Sequence, residues 1–193
     1  MIVGLTGGIG SGKSTVAKEF QKIANIAVYF ADVEAKKLMT NSLTIKKKLI
    51  EEFGENAFVN NQLNRAFIAD VVFTNKDKLN TLNAIVHPEV IKHFESFFST
   101  NKDKEYVLYE NAILFENKSA LFCDVIITVV ATESLRIQRV VKRDSVSEAD
   151  VKNRIQNQWS DAKKALLSNY IITNNELNDI SIQVARIHNI LTK

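Results

Sequence analysis

Residues 7–14, Gly7-Gly8-Ile9-Gly10-Ser11-Gly12-Lys13-Ser14, satisfy the spacing G-x-x-x-x-G-K-[ST], and five of the chain's six glycines lie in its first twelve residues. Each residue type in that run has a use. Glycine allows backbone angles and close approaches that a Cβ forbids, so successive N–H groups can turn inward onto phosphate oxygens. A helix that follows adds its positive N-terminal end. Lys13 is long enough to meet β- and γ-phosphates as a compact cation, and the Ser14 hydroxyl is a hard oxygen donor of the kind that ligates Mg²⁺. The run therefore predicts a cradle for a nucleoside triphosphate built from Gly8, Ile9, Gly10, Ser11, Gly12, Lys13, Ser14 and Thr15.

Three further groups could act on a phosphate held there. Asp32 stands directly after an apolar run that ends at Phe30, and a carboxylate at the end of a parallel strand can accept a hydroxyl proton or hold Mg²⁺ through water. A helix N-cap is the competing use of the same residue. Arg136, Arg139 and Arg143 fall at i, i+3 and i+7, on one helix face, and arginine forks pair with phosphates. Arg154 and Gln158 sit one turn apart on the next helical stretch. His87 precedes Pro88 and, taken alone, has a structural role as its simplest explanation.

These residues need elements to hold them. Residues 2–6 form a short apolar run before the glycines, residues 13–25 a helical pattern, and residues 26–30 a second apolar run. Strand, glycine turn, helix, strand is the parallel βαβ pattern. Residues 32–99 look helical throughout, with a turn at Asn60-Asn61 and a helix beginning at Pro88. Residues 106–109, 124–130 and 170–173 return to compact apolar runs, as buried parallel strands do. A helix over 132–143, a polar stretch at 144–150 and one long polar helix to about residue 167 lie between them. The last helix places Leu177, Ile180, Val184, Ile187 and Leu191 in one apolar stripe. The expectation is a single α/β domain over residues 1–193 with an open parallel five-stranded sheet.

Other classes fall away. A guanine-nucleotide switch needs Asp-x-x-Gly and Asn-Lys-x-Asp segments. Gly54 is preceded by Glu51, and both Asn-Lys-Asp-Lys runs carry Lys where the base-reading Asp belongs. Residues 106–109 followed by Glu110-Asn111 make a poor acidic strand end for a motor ATPase. No apolar run is long enough to span a membrane, which takes about 18 residues. One cysteine excludes an internal disulfide, and one cysteine with three scattered histidines makes a soft-ligand metal cluster implausible. Cys123 reads as a small apolar filler, and Trp159, Tyr29 and the phenylalanines as core or groove wall. The net charge of +3 suits anionic small substrates and argues for no nucleic acid. The opening residues lack an export pattern, so the expected setting is the cytoplasm.

The motifs together resemble the dephospho-CoA kinase family. The resemblance is carried by residues 5–15, by Ala31-Asp32 with Ala35, by residues 82–88 ending in His87-Pro88, and by Leu114-Phe115-Glu116. It continues through residues 124–130, Arg139, Arg143-Asp144, Arg154 to Gln158, and residues 171–175. It implies a P-loop kinase fold with a helical substrate region at about 32–100 and a lid at about 144–160. It also implies ATP and Mg²⁺ as co-substrate and metal, dephospho-CoA as acceptor, and phosphorylation of the ribose 3′-hydroxyl. By the same resemblance Asp32 is the base or orienter, and Lys13, Arg139 and Arg143 act on phosphates. Asn175 joins the nucleotide site, and Lys36, Arg65, His87, Leu114, Glu116 and Arg154 join the acceptor side. The chain departs from the family pattern at Phe30, where a first carboxylate is usual, and at Lys36, Ala112, Asn169 and Glu176. A monomer or small homo-oligomer is expected. Two other readings of the loop stay open: a small P-loop kinase with a nucleoside monophosphate or small alcohol as acceptor, and an ATP-binding module without transfer activity.

Overall fold

The computed structural model describes residues 1–175 and 179–193, with Phe73 and Thr74 described by their backbone alone. In chain order the elements are β1 (Ile2–Thr6), α1 (Lys13–Gln21), β2 (Ile26–Phe30), α2 (Ala31–Asn41), α3 (Leu43–Phe53), β3 (Phe58–Val59) and β4 (Gln62–Leu63). There follow α4 (Arg65–Thr74), α5 (Lys76–Thr100), β5 (Tyr106–Glu110), β6 (Val125–Val130), α6 (Glu133–Asp144), α7 (Glu148–Gln156), α8 (Asp161–Leu166), β7 (Tyr170–Thr173) and α9 (Ile180–Leu191).

The chain divides into two compact units, Met1–Phe30 with Asn101–Lys193, and Ala31–Thr100. In the first unit five strands form one sheet in the order β2-β5-β1-β6-β7, every pair parallel. Parallel strands covered on both faces need not alternate in polarity, and all five residues of β5 are buried. Val3, Leu5, Leu108, Ile127, Val129 and Ile172 from the sheet pack with Val16, Ala17 and Phe20 of α1 and with Ile180, Val184 and Ile187 of α9. The apolar stripe expected of the last helix is therefore real at those three positions and at Leu191, while Leu177 lies outside the described residues. At the β7 edge the Gln183 side chain accepts from Thr173 N–H and donates to Thr173 C=O, both at 2.9 Å.

The first unit departs from the sequence expectation most clearly between α6 and β7. The long polar helix up to residue 167 is two helices. Asn157 ends α7, and the Ser160 hydroxyl accepts from Lys163 N to cap a new start at Asp161, the N-terminal role serine performs well.

The second unit is helical around a small core of Ile45, Leu49 and Ile85, joined by Leu38, Met39, Phe53, Phe58, Leu63 and Leu82. Asn60 and Asn61 do turn, both with positive φ (49° and 63°). They also close an antiparallel β3–β4 pair that two-residue strands are too short to announce by alternation. Pro88 lies inside α5, not at its start. An interior proline costs about 3 kcal/mol, and the packing of α5 on α2, α3 and α4 offsets it.

Candidate active site

The glycine loop leaves the carboxyl end of β1, the central strand, and runs into α1 at Lys13. Gly10 has φ 80° and lies so close to the Arg136 backbone that an added Cβ would fall 2.5 Å from its carbonyl oxygen. Gly12, the N-cap of α1, has φ 90°, and a Cβ there would overlap Asn174 Nδ2. Both positions need a residue without a side chain. Thr15 N–H, in the first turn of α1, closes back on Gly12 C=O at 3.0 Å, and this turn sits at the helix's positive end. Lys13 is buried, with its Nζ 3.4 Å from the Gly8 carbonyl. Ser11 is fully enclosed, and Ser14 and Thr15 occupy the first turn.

Later segments of the same unit hold the loop in shape. Asn174 is 2% exposed and donates Nδ2–H to Ser11 C=O at 2.8 Å. Gly8 N–H donates to Asp161 Oδ1 at 3.1 Å and Ile9 N–H to Gln158 Oε1 at 2.8 Å. Arg136 Nε–H donates to Ile9 C=O at 2.9 Å, and its Nη1 pairs with Asp161 Oδ2 at 2.9 Å. The Ile9 side chain joins Ile137, Val140, Val151 and Ile155 of α6 and α7. Of the three arginines on one face, Arg136 is thus consumed by the loop. Arg139 lies half-buried beside it, its Nη1 within 3.9 Å of where a Gly12 Cβ would stand. Arg143, more exposed, forks onto Asp144 at 2.7 and 3.0 Å, and Arg154 Nη1 reaches the same carboxylate at 2.9 Å. The Arg143 hydrogen bond, then Arg143's charge and Arg154, outweigh burial and hold the Asp144 carboxyl below its ordinary range.

Behind the loop, Lys164 is a fully buried cation. Its Nζ donates to Ala112 C=O at 2.7 Å and pairs with Glu116 Oε1 at 2.9 Å, which also accepts from Trp159 N–H at 2.9 Å. Glu116 Oε2 is buried without a hydrogen-bond partner among the described residues. Trp159 stacks on Phe115 with ring centroids 6.0 Å apart, and Lys163 Nζ lies 3.4 Å above the Trp159 ring. Leu114 is fully enclosed and packs against β1, where a Gly4 Cβ would fall 2.9 Å from its Cδ2, so it offers no surface to an acceptor. Asn175, exposed, accepts from Thr132 N–H at 3.1 Å and borders an open depression of about 490 Å³ with Thr173, Asp179, Ile182 and Gln183. Tyr29, 2% exposed, stacks on Tyr109. Burial, and then the charge of Asp124, push the half-buried Cys123 thiol up to about 12, so it stays protonated.

In the helical unit Asp32 is exposed in the first turn of α2, inside the helix, so the N-cap alternative does not describe it. Lys36 follows one turn on. Arg65 opens α4 and its Nη2 reaches Thr40 Oγ1 at 3.4 Å, which brings it to the α2 stretch that carries Lys36. His87 lies half-buried in α5, and burial holds its pKa below the ordinary histidine value.

The residues that sequence reasoning passed over are Asp161, Lys164 and Asn174. Only Asn174 had a local signal, being adjacent to the Asn175 already singled out.

A parallel sheet with a glycine loop after its central strand, arginines on the helix after β6 and a short helix beyond them define a P-loop kinase. A protein-family model described as "Dephospho-CoA kinase" matches residues 1–179. The chain belongs to the dephospho-CoA kinase family. A dephospho-CoA kinase of Bacteroides fragilis is 35% identical over 172 residues, 89% of this chain and 83% of its own. A crystal structure from Thermus thermophilus superposes with a TM-score of 0.89 at 27% identity, covering 100% of this chain and 98% of the other. A dephospho-CoA kinase from Campylobacter jejuni shares the fold, with a TM-score of 0.67 at 20% identity over 99% and 96% of the two chains. Membership carries the reaction class, an ATP-dependent phosphotransferase of the final step of coenzyme A synthesis. These matches give no support to another acceptor class or to a module without transfer activity.

Proposed function

We propose that the chain moves the γ-phosphoryl group of ATP to the ribose 3′-hydroxyl of dephospho-CoA, with the residue roles that follow. The observation that carries the reading is the glycine loop at the start of α1, shaped by Gly10 and Gly12 and pinned by Asn174, Asp161 and Gln158. A loop already in shape spends no binding energy on being ordered, and preorganised donors are the main catalytic resource for transferring a phosphoryl group.

In this reading the glycine loop, the start of α1 and the Lys13 ammonium hold the β- and γ-phosphates, and Arg139 and Arg143 neutralise charge that builds on the transferred group. Asp32 takes the proton from the acceptor hydroxyl as the new oxygen–phosphorus bond forms, and the bond to the β-phosphate oxygen breaks to give ADP. Lys36, Arg65, His87, Glu116 and Arg154 serve the acceptor, and Asn175 the nucleotide. Mg²⁺ fits the donor set. No cluster of His, Cys, Asp and Glu capable of holding a metal by itself occurs among the described residues. Mg²⁺ in such enzymes takes phosphate oxygens, water and one or two side-chain oxygens. The Ser14 hydroxyl, at the second position of α1, supplies one. The ion would neutralise phosphate charge. The reading includes a cytoplasmic setting, and among the described residues no helix is long and apolar enough to cross a membrane.

The test couples ADP release to a readout with dephospho-CoA, AMP, CMP or no acceptor, and locates the phosphate on the product by ³¹P NMR. Turnover stimulated by dephospho-CoA alone, with phosphate at the 3′ position, is expected. Stimulation by AMP or CMP instead overturns the acceptor. Asp32→Asn is nearly isosteric and should lower kcat by roughly 10²- to 10⁴-fold with a modest change in KM. Unchanged kcat refutes its role.

A further inference from the structure

An acidic side chain is a poor neighbour for a loop that binds a triphosphate, yet Asp161 accepts the Gly8 amide from 153 residues away in sequence. Its charge is met where it arises. Arg136, 6% exposed, pairs through Nη1 with Asp161 Oδ2 and uses Nε–H for Ile9 C=O at 2.9 Å. Gln158 adds a neutral acceptor for Ile9 N–H. The pair thus fixes the amide of one loop residue and the carbonyl of the next. The space leaves no slack, since a Cβ at Gly8 would fall 2.6 Å from Asp161 Oδ1 and overlap the Arg136 guanidinium. Both partners come from helices: Arg136 from the buried face of α6, and Asp161 from the first turn of α8, just past the Ser160 cap.

We propose that Asp161 and Arg136 are positioning residues for phosphoryl transfer. They set the peptide planes of Gly8 and Ile9, and so aim the amides that follow at the triphosphate. The proposal rests on the kinase reading. It also gives Arg136 a role distinct from the phosphate-binding one that its spacing with Arg139 and Arg143 suggests. The ion pair is what makes a carboxylate tolerable beside polyphosphate. Removing Arg136 leaves that negative charge uncompensated at the loop, whereas removing Asp161 frees the Gly8 amide and leaves a cation.

Three variants separate positioning from mere support. Asp161→Asn keeps an acceptor for Gly8 N–H and loses the ion pair. Asp161→Ala loses both. Arg136→Lys keeps the charge and loses the Nε–H bond to Ile9. Affinity is read by titrating each purified variant with a fluorescent ATP analogue and Mg²⁺, and turnover by the ADP-release assay. Hydrogen bonds to charged groups convert to about a 10- to 100-fold change in affinity. Asp161→Ala should weaken ATP-analogue binding by that factor and raise the KM for ATP, with the KM for dephospho-CoA unchanged and Asp161→Asn recovering most of the loss. Arg136→Lys, which loses the Nε–H bond to Ile9 C=O, carries the titration if the alanine variant fails to fold. Nucleotide affinity within twofold of wild type in folded Asp161→Ala, or in Arg136→Lys where it stands in, overturns the proposal. Equal rises in both KM values that track a fall in melting temperature do the same. If the wild type binds the analogue but does not phosphorylate dephospho-CoA, the acceptor assignment fails and the titration still decides the positioning role.

Discussion

Lys164 offers a quantitative test of how the site's rear wall is held together. Its ammonium is fully buried, 2.9 Å from Glu116 Oε1 and 2.7 Å from Ala112 C=O. At an effective dielectric of about 20, a charge pair at that distance attracts by roughly 6 kcal/mol, much of it spent on taking both ions out of water. The net worth of the pair is therefore small, but removing one member is costly. Lys164→Met keeps the unbranched apolar stem and abandons a carboxylate whose side chain is only 17% exposed. Breaking a buried pair from one side costs about 3–5 kcal/mol, or a fall of about 6–20 °C in melting temperature for a chain of this size. Glu116→Gln keeps an acceptor for Lys164 and for Trp159 N–H, so it should cost less. In the double variant no charge is stranded, and its loss should be smaller than that of Lys164→Met alone. Urea unfolding can be followed through the chain's one tryptophan, Trp159, whose backbone N–H is part of the same network. A Lys164→Met loss below about 1 kcal/mol, or strictly additive losses in the cycle, refutes the reasoning.

Lys13→Ala should lower kcat roughly 10²- to 10³-fold with the fold intact by circular dichroism, because preorganised charge is lost where charge develops; unchanged turnover contradicts the loop assignment. Gly12→Ala forces a side chain into a left-handed backbone and onto Asn174 Nδ2. The strain should raise the KM for ATP by about tenfold, and tight binding by that variant refutes the geometry. His87, held below its ordinary pKa by burial, takes up a proton more readily when unfolded. Its contribution is therefore intact above pH 6.5 and is lost as the pH falls below it. His87→Asn should flatten that part of the stability–pH curve, and an unaltered slope refutes the burial argument.

What could be read before the structure was local. The glycine loop declares itself because its chemistry demands adjacent residues, and the five sheet strands because buried parallel strands are compact apolar runs. Distant pairs declare nothing. Arg136 looks like a phosphate ligand by its spacing, and Asp161 like one more polar residue of a long helix. Only folding shows that they meet, 25 residues apart, on the loop. Lys164 carries no local mark that separates it from Lys163, and the structure buries one while the other lies over Trp159. Pro88 misleads because its usual place opens a helix, whereas here tertiary packing carries α5 through it. The β3–β4 pair is too short for any periodicity.

The amide of Gln183 impersonates one residue of a sixth strand. By offering an acceptor and a donor to the same residue of β7, it fills at Thr173 the hydrogen-bonding slots through which a stray extended chain would begin to add itself. An open parallel sheet exposes such a seam at each border, and here a single side chain plugs one end of it at no cost in length. Replacing that glutamine would leave catalysis to the loop and open a route to edge-to-edge self-association.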